Sequence, residues 1–457
     1  MEVREPYAKY LPPQFKRTEA GDIPIDWVDK PIGEMAEVTS GGTPSRKMAA
    51  YWDGDIPWVT TAELEVGQVT EAVQHITAAG LQNSAAKWLP AGTLLIALYG
   101  QGKTRGKCAV LRIAATTNQA CAGIKLKESV EGEFVRHNLA QRYEYIRSLS
   151  NGGSQENLSG EIVKKIRVGM PSTRAEQRAI AEALNDADAL IDSLEQLLTK
   201  KRQMKQGAMQ ELLTGKRRLP GFSDSWISCL WGDVIDDCSS GATPLRSHPE
   251  YYRGSIRWVS SGELNYNVIE ETLEHISAEA LEKTNLKIHP AGTFLMAITG
   301  LEAAGTRGAC GMIGKPAATN QSCMAIYPSS KLLTAYLFHF YVYKGDELAL
   351  RYCQGTKQQS YTAALVRVLP IEYPESTDEQ LAIAQVLSDI DAEITALESR
   401  LTKTLALKQA MAQALLTGRI RIPLAPQEPA APVLFPGASE AEGMLGSGPA
   451  RAQESTP

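Results

Sequence analysis

Gly102, Lys103 and Thr104 are the first residues to invite a chemical reading, because a G-x-x-x-x-G-K-[ST] loop cradles phosphates with its backbone amides. The context refuses it. The required first glycine falls at Ala97, residues 108–113 read as a strand rather than a helix, and the matching loop at Arg307 lacks a Lys-Thr pair. Cys108 with Cys121, and Cys310 with Cys323, are each 13 residues apart. Two thiols without nearby histidines make a poor metal site, so these read as buried strand cysteines. His75 and His275 occupy matching positions and read as core or strand-edge histidines. There is no Asn-Pro-Pro-aromatic motif of amino-methyltransferases and no glycine-rich cofactor loop repeated in both halves. Nor does a carboxylate cluster beside a lysine suggest a nuclease. No catalytic set emerges.

What remains suits contact rather than reaction. Residues 40–46 and 239–246 are Gly- and Ser/Thr-rich loops ending in arginine, with Ser40, Thr43, Ser45 and Arg46 in one and Ser240, Thr243 and Arg246 in the other. Glycine lets amides approach phosphate, hydroxyls donate, and arginine pairs with phosphate or guanine. The plain alternative is a solvent turn leading into a strand. Lys103, Arg105 and Arg307 lie on loops after apolar runs and read as DNA-facing or as ordinary surface. Asn118, Gln119, Asn320 and Gln321 carry amides able to read adenine edges. The preferred reading is that they cap a strand end and hold the loop. Ser154, Gln155, Lys357 and Gln358 sit in polar, Gly-containing segments, either base or phosphate contacts or interdomain turns. The run Lys200-Lys201-Arg202, with Lys205 and Lys216-Arg217-Arg218, is the densest basic stretch. It suits a DNA backbone or a solvated helix face equally.

These residues recur because the chain is written twice. Thr43-Pro44 and Trp58-Val59 return 200 residues later as Thr243-Pro244 and Trp258-Val259. Thr117-Asn118-Gln119 returns as Thr319-Asn320-Gln321, displaced by 202. Leu212-Leu213-Thr214-Gly215 returns as Leu415-Leu416-Thr417-Gly418, displaced by 203. A few loop insertions account for the drift, and the pattern is a duplication.

Each copy has a globular part and a long helix. The expected segments are an N-terminal arm at 1–20, a domain at 21–171, a spacer helix at 172–215, a second domain at 216–374, a second helix at 375–418 and a disordered tail at 419–457. Apolar runs at 94–99 and 294–298 read as buried strands, and residues 134–149 as helix. The fold class is therefore α+β, two mixed α/β domains separated by long helices. Thr173 with Glu176, and Ser376 with Glu379, have capping-box spacing. Ile180, Leu184, Ala187, Ile191, Leu194 and Leu198 follow at steps of 4, 3, 4, 3, 4, and Ile383, Leu387, Ile390, Ile394, Leu397 and Leu401 repeat them. That is a coiled-coil seam, closed by Gly215 and Gly418 as C-terminal caps. Each seam needs a partner, and the nearest is the other helix. A two-fold relation between equivalent repeats makes the pair antiparallel, with a domain at either end of a rigid rod.

Composition narrows the class. With 457 residues the chain suits two or three domains. Its 47 Lys+Arg against 52 Asp+Glu give a net charge of -5, so any nucleic-acid surface is a local patch or is completed by a partner. Seven cysteines without C-x-x-C argue against a zinc ribbon or disulfide framework. No run approaches a membrane span, and the start lacks the apolar core of a signal peptide. A cytoplasmic location is expected.

Gly41-Gly42-Thr43-Pro44-Ser45, Ile56-Pro57-Trp58-Val59, Thr117-Asn118-Gln119 and Glu176-Gln177 together resemble the type I restriction-modification specificity subunit. Gly241-Ala242-Thr243-Pro244, Ile256-Arg257-Trp258-Val259, Thr319-Asn320-Gln321 and Glu379-Gln380 repeat the signature, departing at Ala242 and Arg257. The resemblance covers roughly residues 21–422. It implies two target recognition domains, each reading half of a split double-stranded DNA site, and helices that set the gap. It further implies two docked methyltransferase subunits, restriction/translocase subunits, and no cofactor on this chain, with S-adenosylmethionine, ATP and Mg on the partners. Glu176, Gln177, Glu379 and Gln380 are the expected docking residues. A coiled-coil scaffold whose globular ends bind protein, in another phage-defence assembly, is the alternative.

Overall fold

The computed structural model describes residues 14–65, 67–100, 103–149, 157–302, 305–353 and 359–423. Contacts divide them into two units, the first taking residues up to 183 with those from 412 onward, the second residues 184–411. Ser154, Gln155, Lys357, Gln358, the first 13 residues and nearly all of the expected tail lie outside the described residues.

In the first unit the strands are β1 (Ala36–Ser40), β2 (Trp52–Val59), β3 (Gln68–Val69), β4 (Gln74–Ile76), β5 (Leu94–Ala97), β6 (Cys108–Leu111), β7 (Thr116–Thr117) and β8 (Cys121–Leu126). They form a five-stranded sheet, order β1-β8-β5-β6-β3, and a three-stranded sheet, order β7-β2-β4. Every residue of the central strand β5 is buried, as in a sheet covered on both faces. A further strand pair, Val28–Pro31 with Arg167–Met170, ties the start of the domain to its end.

The second unit repeats the plan. Its strands are β9 (Ile235–Ser240), β10 (Ile256–Val259), β11 (Asn267–Ile269), β12 (Glu274–Ile276), β13 (Phe294–Ala297), β14 (Cys310–Ile313), β15 (Ala317–Thr319) and β16 (Cys323–Pro328). The sheet orders are β9-β16-β13-β14-β11 and β12-β10-β15, the same strand for strand. Trp226–Leu230 with Pro370–Pro374 closes this domain. The expected helix at 134–149 is two pieces, Gly132–Gln141 and Tyr143–Ser148, whereas its counterpart Thr334–Tyr352 is continuous. Cys108, Cys121, Cys310 and Cys323 are buried in strands; burial pushes the Cys108 and Cys121 thiols up to about 12 and raises the other two as well. His75 and His275 lie on the edge strands β4 and β12.

The long helices are Arg174–Leu212 and Thr377–Leu415, 39 residues each. Thr173 and Ser376 cap them, each hydroxyl accepting the amide three residues on at 3.4 Å. The return half of the expected capping box is directed elsewhere. The Glu379 carboxylate takes both arms of Arg218 at 2.5 and 2.6 Å, and Glu176 takes Arg421 in the same way. In each unit, then, the residue just past one long helix grips the start of the other, and the pair is antiparallel. Gly215 and Gly418 both have φ +68°, a conformation that favours glycine, and an added Cβ would press on Trp226 and on Trp27 and Pro24 respectively.

Within the second unit Lys205–Asp391 (2.6 Å), Arg202–Glu398 (2.7 Å), Lys201–Glu393 and Lys408–Asp188 join the helices in antiparallel register. Lys201, Arg202 and Lys205 of the basic run are therefore engaged in helix pairing, which competes with tracking a DNA backbone. Leu184, Ile191, Leu194, Leu198, Leu387 and Ile394 are buried along the seam. Met209, Leu212, Leu213, Ile383 and Leu387 join Phe294, Leu295 and Trp231 in one core, so the helix ends are part of the domain they serve.

Candidate nucleic-acid interface

β1 ends at Ser40, and the loop that follows is pinned against the neighbouring sheet. Gly41 and Gly42 amides donate to the carbonyls of Cys121 (3.2 Å) and Thr117 (2.8 Å). An added Cβ on Gly41 would lie 2.2 Å from the Thr117 carbonyl oxygen, so only glycine allows this approach. Gly241 faces Thr319 in the same way, at 1.9 Å. Trp58 donates its indole N–H to the Gly42 carbonyl at 2.9 Å, and Trp258 to that of Ala242 at 3.1 Å. Thr43 bonds Gln119 and Thr243 bonds Gln321. Asn118 accepts the Ala120 amide at 3.1 Å, as Asn320 accepts that of Ser322 at 3.0 Å. The two glutamines thus hold the loop, and the two asparagines cap the turns that follow β7 and β15.

At the loop's far end Arg46 stacks 3.6 Å from the Trp52 ring centre and 5.1 Å from that of Trp58, and donates to Gln74 Oε1 at 2.7 Å. Arg246 lies 4.2 Å over Tyr252 and 5.5 Å from Trp258, but meets Glu274 through both nitrogens at 2.5 and 2.8 Å. That pairing raises the Arg246 pKa and lowers that of Glu274, each chiefly through the shared hydrogen bonds. Both guanidiniums are exposed and face-stacked, which fixes their direction while leaving donors free for phosphate or guanine. The two copies therefore differ by one charge: Arg46 leans on a neutral amide, Arg246 on a carboxylate.

Ser40, Ser45, Ser240 and Lys103 are exposed, with Thr243 half-buried. The Lys103 carbonyl is held by the Tyr143 hydroxyl. Arg105 is buried at 7% exposure and donates to the Arg147 carbonyl at 3.2 Å; Arg307 pairs with Asp346 at 2.8 Å. Arg105 thus serves the domain interior and Arg307 is partly neutralised. Gln177 accepts the Glu131 amide at 2.9 Å and donates to the Pro171 carbonyl at 2.9 Å, while Gln380 does the same with Leu333 (2.8 Å) and Pro374 (2.9 Å). With Glu176 and Glu379 they are buried inside the repeat, and none of the four side chains offers an exposed docking face. Sequence reasoning missed Trp52, Tyr252, Gln74 and Glu274. The last two adjoin the matched histidines 75 and 275, so the 200-residue displacement pointed at them. Among the described residues there is no cluster of metal-ligating side chains, and no helix is long and apolar enough to cross a membrane.

The two domains carry the same glycine-pinned loop ending in a stacked arginine. The model of the type I restriction modification DNA specificity domain matches residues 24–201 and 226–407, and the chain belongs to that family. It is 32% identical over 185 residues to the type I restriction enzyme MjaIX specificity subunit of Methanocaldococcus jannaschii. That match takes in 39% of this chain and 42% of the relative, so it spans less than half of that protein's length. Similarity to the MjaVIII specificity subunit of the same organism is 21% identity over 428 residues, 90% of this chain and 97% of the relative. The crystal structure of a type I restriction-modification S subunit from M. genitalium superposes with TM-score 0.60 at 13% identity, covering 89% of this chain and 99% of that one; it shares the fold.

Proposed function

We propose that this chain is the DNA-recognising specificity subunit of a type I restriction-modification complex, without chemistry of its own. Each domain reads one half of a bipartite double-stranded target in the cytoplasm, and the helices fix the gap between the halves. Methyltransferase and restriction/translocase subunits supply S-adenosylmethionine, ATP and Mg chemistry. The observation that carries this reading is the same stacked arginine at the end of the same glycine-pinned loop in two copies. Ser40, Thr43, Ser45, Arg46 and Lys103, with Ser240, Thr243 and Arg246, form the proposed contact surfaces. Arg46→Ala weakens binding through the first half-site and leaves the second half's base preference intact, with Arg246→Ala the converse. A lost base contact relaxes preference locally, by about 1–3 kcal/mol; a lost phosphate contact weakens all sequences alike. Gel shifts with and without the methyltransferase read this out, and unchanged affinity in both variants removes these loops from the interface.

Two methyltransferases per chain follow from two equivalent helix–domain junctions, each available to one subunit. Partner contact there falls on exposed residues around the buried Glu-Gln pairs. Native mass spectrometry of the intact complex should give two per chain; a reproducible one-to-one complex contradicts the equivalence.

A further inference from the structure

Val73 and Leu273 are the most exposed large apolar residues among those described, at 82% and 86%. They match at a displacement of 200. A single exposed apolar side chain is ordinary, but these two are fixed by the same device. Glu63 Oε2 accepts the Thr60 amide (2.7 Å) and hydroxyl (2.6 Å), while its Oε1 accepts the Val73 amide at 3.2 Å. Glu263 does the same with the Ser260 amide and hydroxyl, both at 2.8 Å, and with the Leu273 amide at 2.8 Å. The next residue, Gln74 or Glu274 at the first position of β4 or β12, is the one that grips the stacked arginine. The contacts to Thr60 and Ser260 are capping boxes of the short helices Thr61–Leu64 and Ser261–Glu263, and the second carboxylate oxygen extends each cap to the Val73 or Leu273 amide; packing within the domain does not explain why those two side chains face outward.

We propose that the Val73-Gln74 and Leu273-Glu274 turns are base-reading tips, and that Gln74 against Glu274 makes the two half-sites unlike. The inference rests on the DNA-specificity reading above. An apolar tip held rigidly suits the C5-methyl of thymine, the one apolar group on a major-groove base edge. Gln74 Oε1 keeps a second lone pair beside Arg46, and its amide nitrogen donates, which is the pattern adenine requires. Glu274 only accepts, and its spare lone pairs suit the cytosine amino group. The arginines keep donors for guanine or phosphate next to these bases.

The test uses the complex purified from its host through a tag on this chain, selecting from a random duplex library. Val73→Ser should cost about tenfold in preference for thymine at one position of the first half-site. Replacing that thymine by deoxyuridine should weaken the wild type but not the Val73→Ser complex. Gln74→Glu should move the adjacent preference from adenine to cytosine and leave the second half-site unchanged; Leu273→Ser and Glu274→Gln should act conversely. Val73 and Leu273 are exposed, and at Gln74 and Glu274, the half-buried first residues of β4 and β12, the exchange of amide and carboxylate keeps size and shape, so folding is retained. A wild-type motif unchanged in every variant overturns the tips while the DNA reading stands. Uniformly weaker binding with the motif unchanged also overturns them, placing the turns against phosphate. A wild-type complex that selects no motif overturns the DNA reading and the tips together.

Discussion

Arg218→Ala is expected to destabilise the second unit, because it strands the Glu379 carboxylate, fully buried, without its cation. Arg218 itself is a quarter exposed, so water entering its place keeps the loss near the lower end for broken buried pairs. The loss reads out as a lower melting temperature for that unit. Arg421→Ala should do the same to the first unit, where Glu176 and Asp26 share that guanidinium. Scanning calorimetry of the two single variants should therefore move different parts of the unfolding profile. Arg218→Lys should recover only part of the loss, since an ammonium cannot make the two-nitrogen contact. If neither variant melted earlier, the ion pairs would be dispensable and the grip between helix ends would rest on apolar packing alone.

Lengthening both helices by one heptad is expected to widen the non-specific gap in the target by about three base pairs. Seven residues add about 10 Å of helix, and duplex DNA rises 3.4 Å per pair. The ion pairs decide where the insertions go. Because Lys205 meets Asp391 and Arg202 meets Glu398, residues opposite Leu198 lie near Glu398. An insertion after Leu198 matched near Glu398 leaves all four ion pairs in place, whereas matching it at 401–411, its equivalent by repeat position, keeps the heptad phase but separates Lys408 from Asp188 when it falls beyond Lys408. The half-sequences themselves should persist. Active variants that kept the original gap would make the helices a docking surface only, with spacing set by the partner subunits.

The duplication made most of this fold legible from the residues. Heptad spacing gave the seam, and equivalence of repeats gave antiparallel pairing, which Lys205–Asp391 and Lys408–Asp188 display. Capping spacing located both helix starts but misassigned Glu176 and Glu379. A local motif cannot reveal an arginine 245 residues away that competes for the carboxylate. The loop ending in Arg46 was visible through its glycines and its copy. Its partners Trp52 and Gln74 were not, because stacking and cross-strand reach depend on how β2 and β4 pair. Arg105 shows the opposite error: a basic residue on a loop looks solvent-facing in sequence, yet here its side chain is turned inward to the Arg147 carbonyl.

The central claim is that one chain reads two half-sites at a fixed separation. Sequencing the methylated bases of the host genome, with this gene intact and deleted, tests it most directly. The predicted result is a motif of two short, different half-sequences separated by a constant run of unspecified bases, present only when the gene is intact. A continuous motif, a variable gap, or methylation unchanged by the deletion would contradict it.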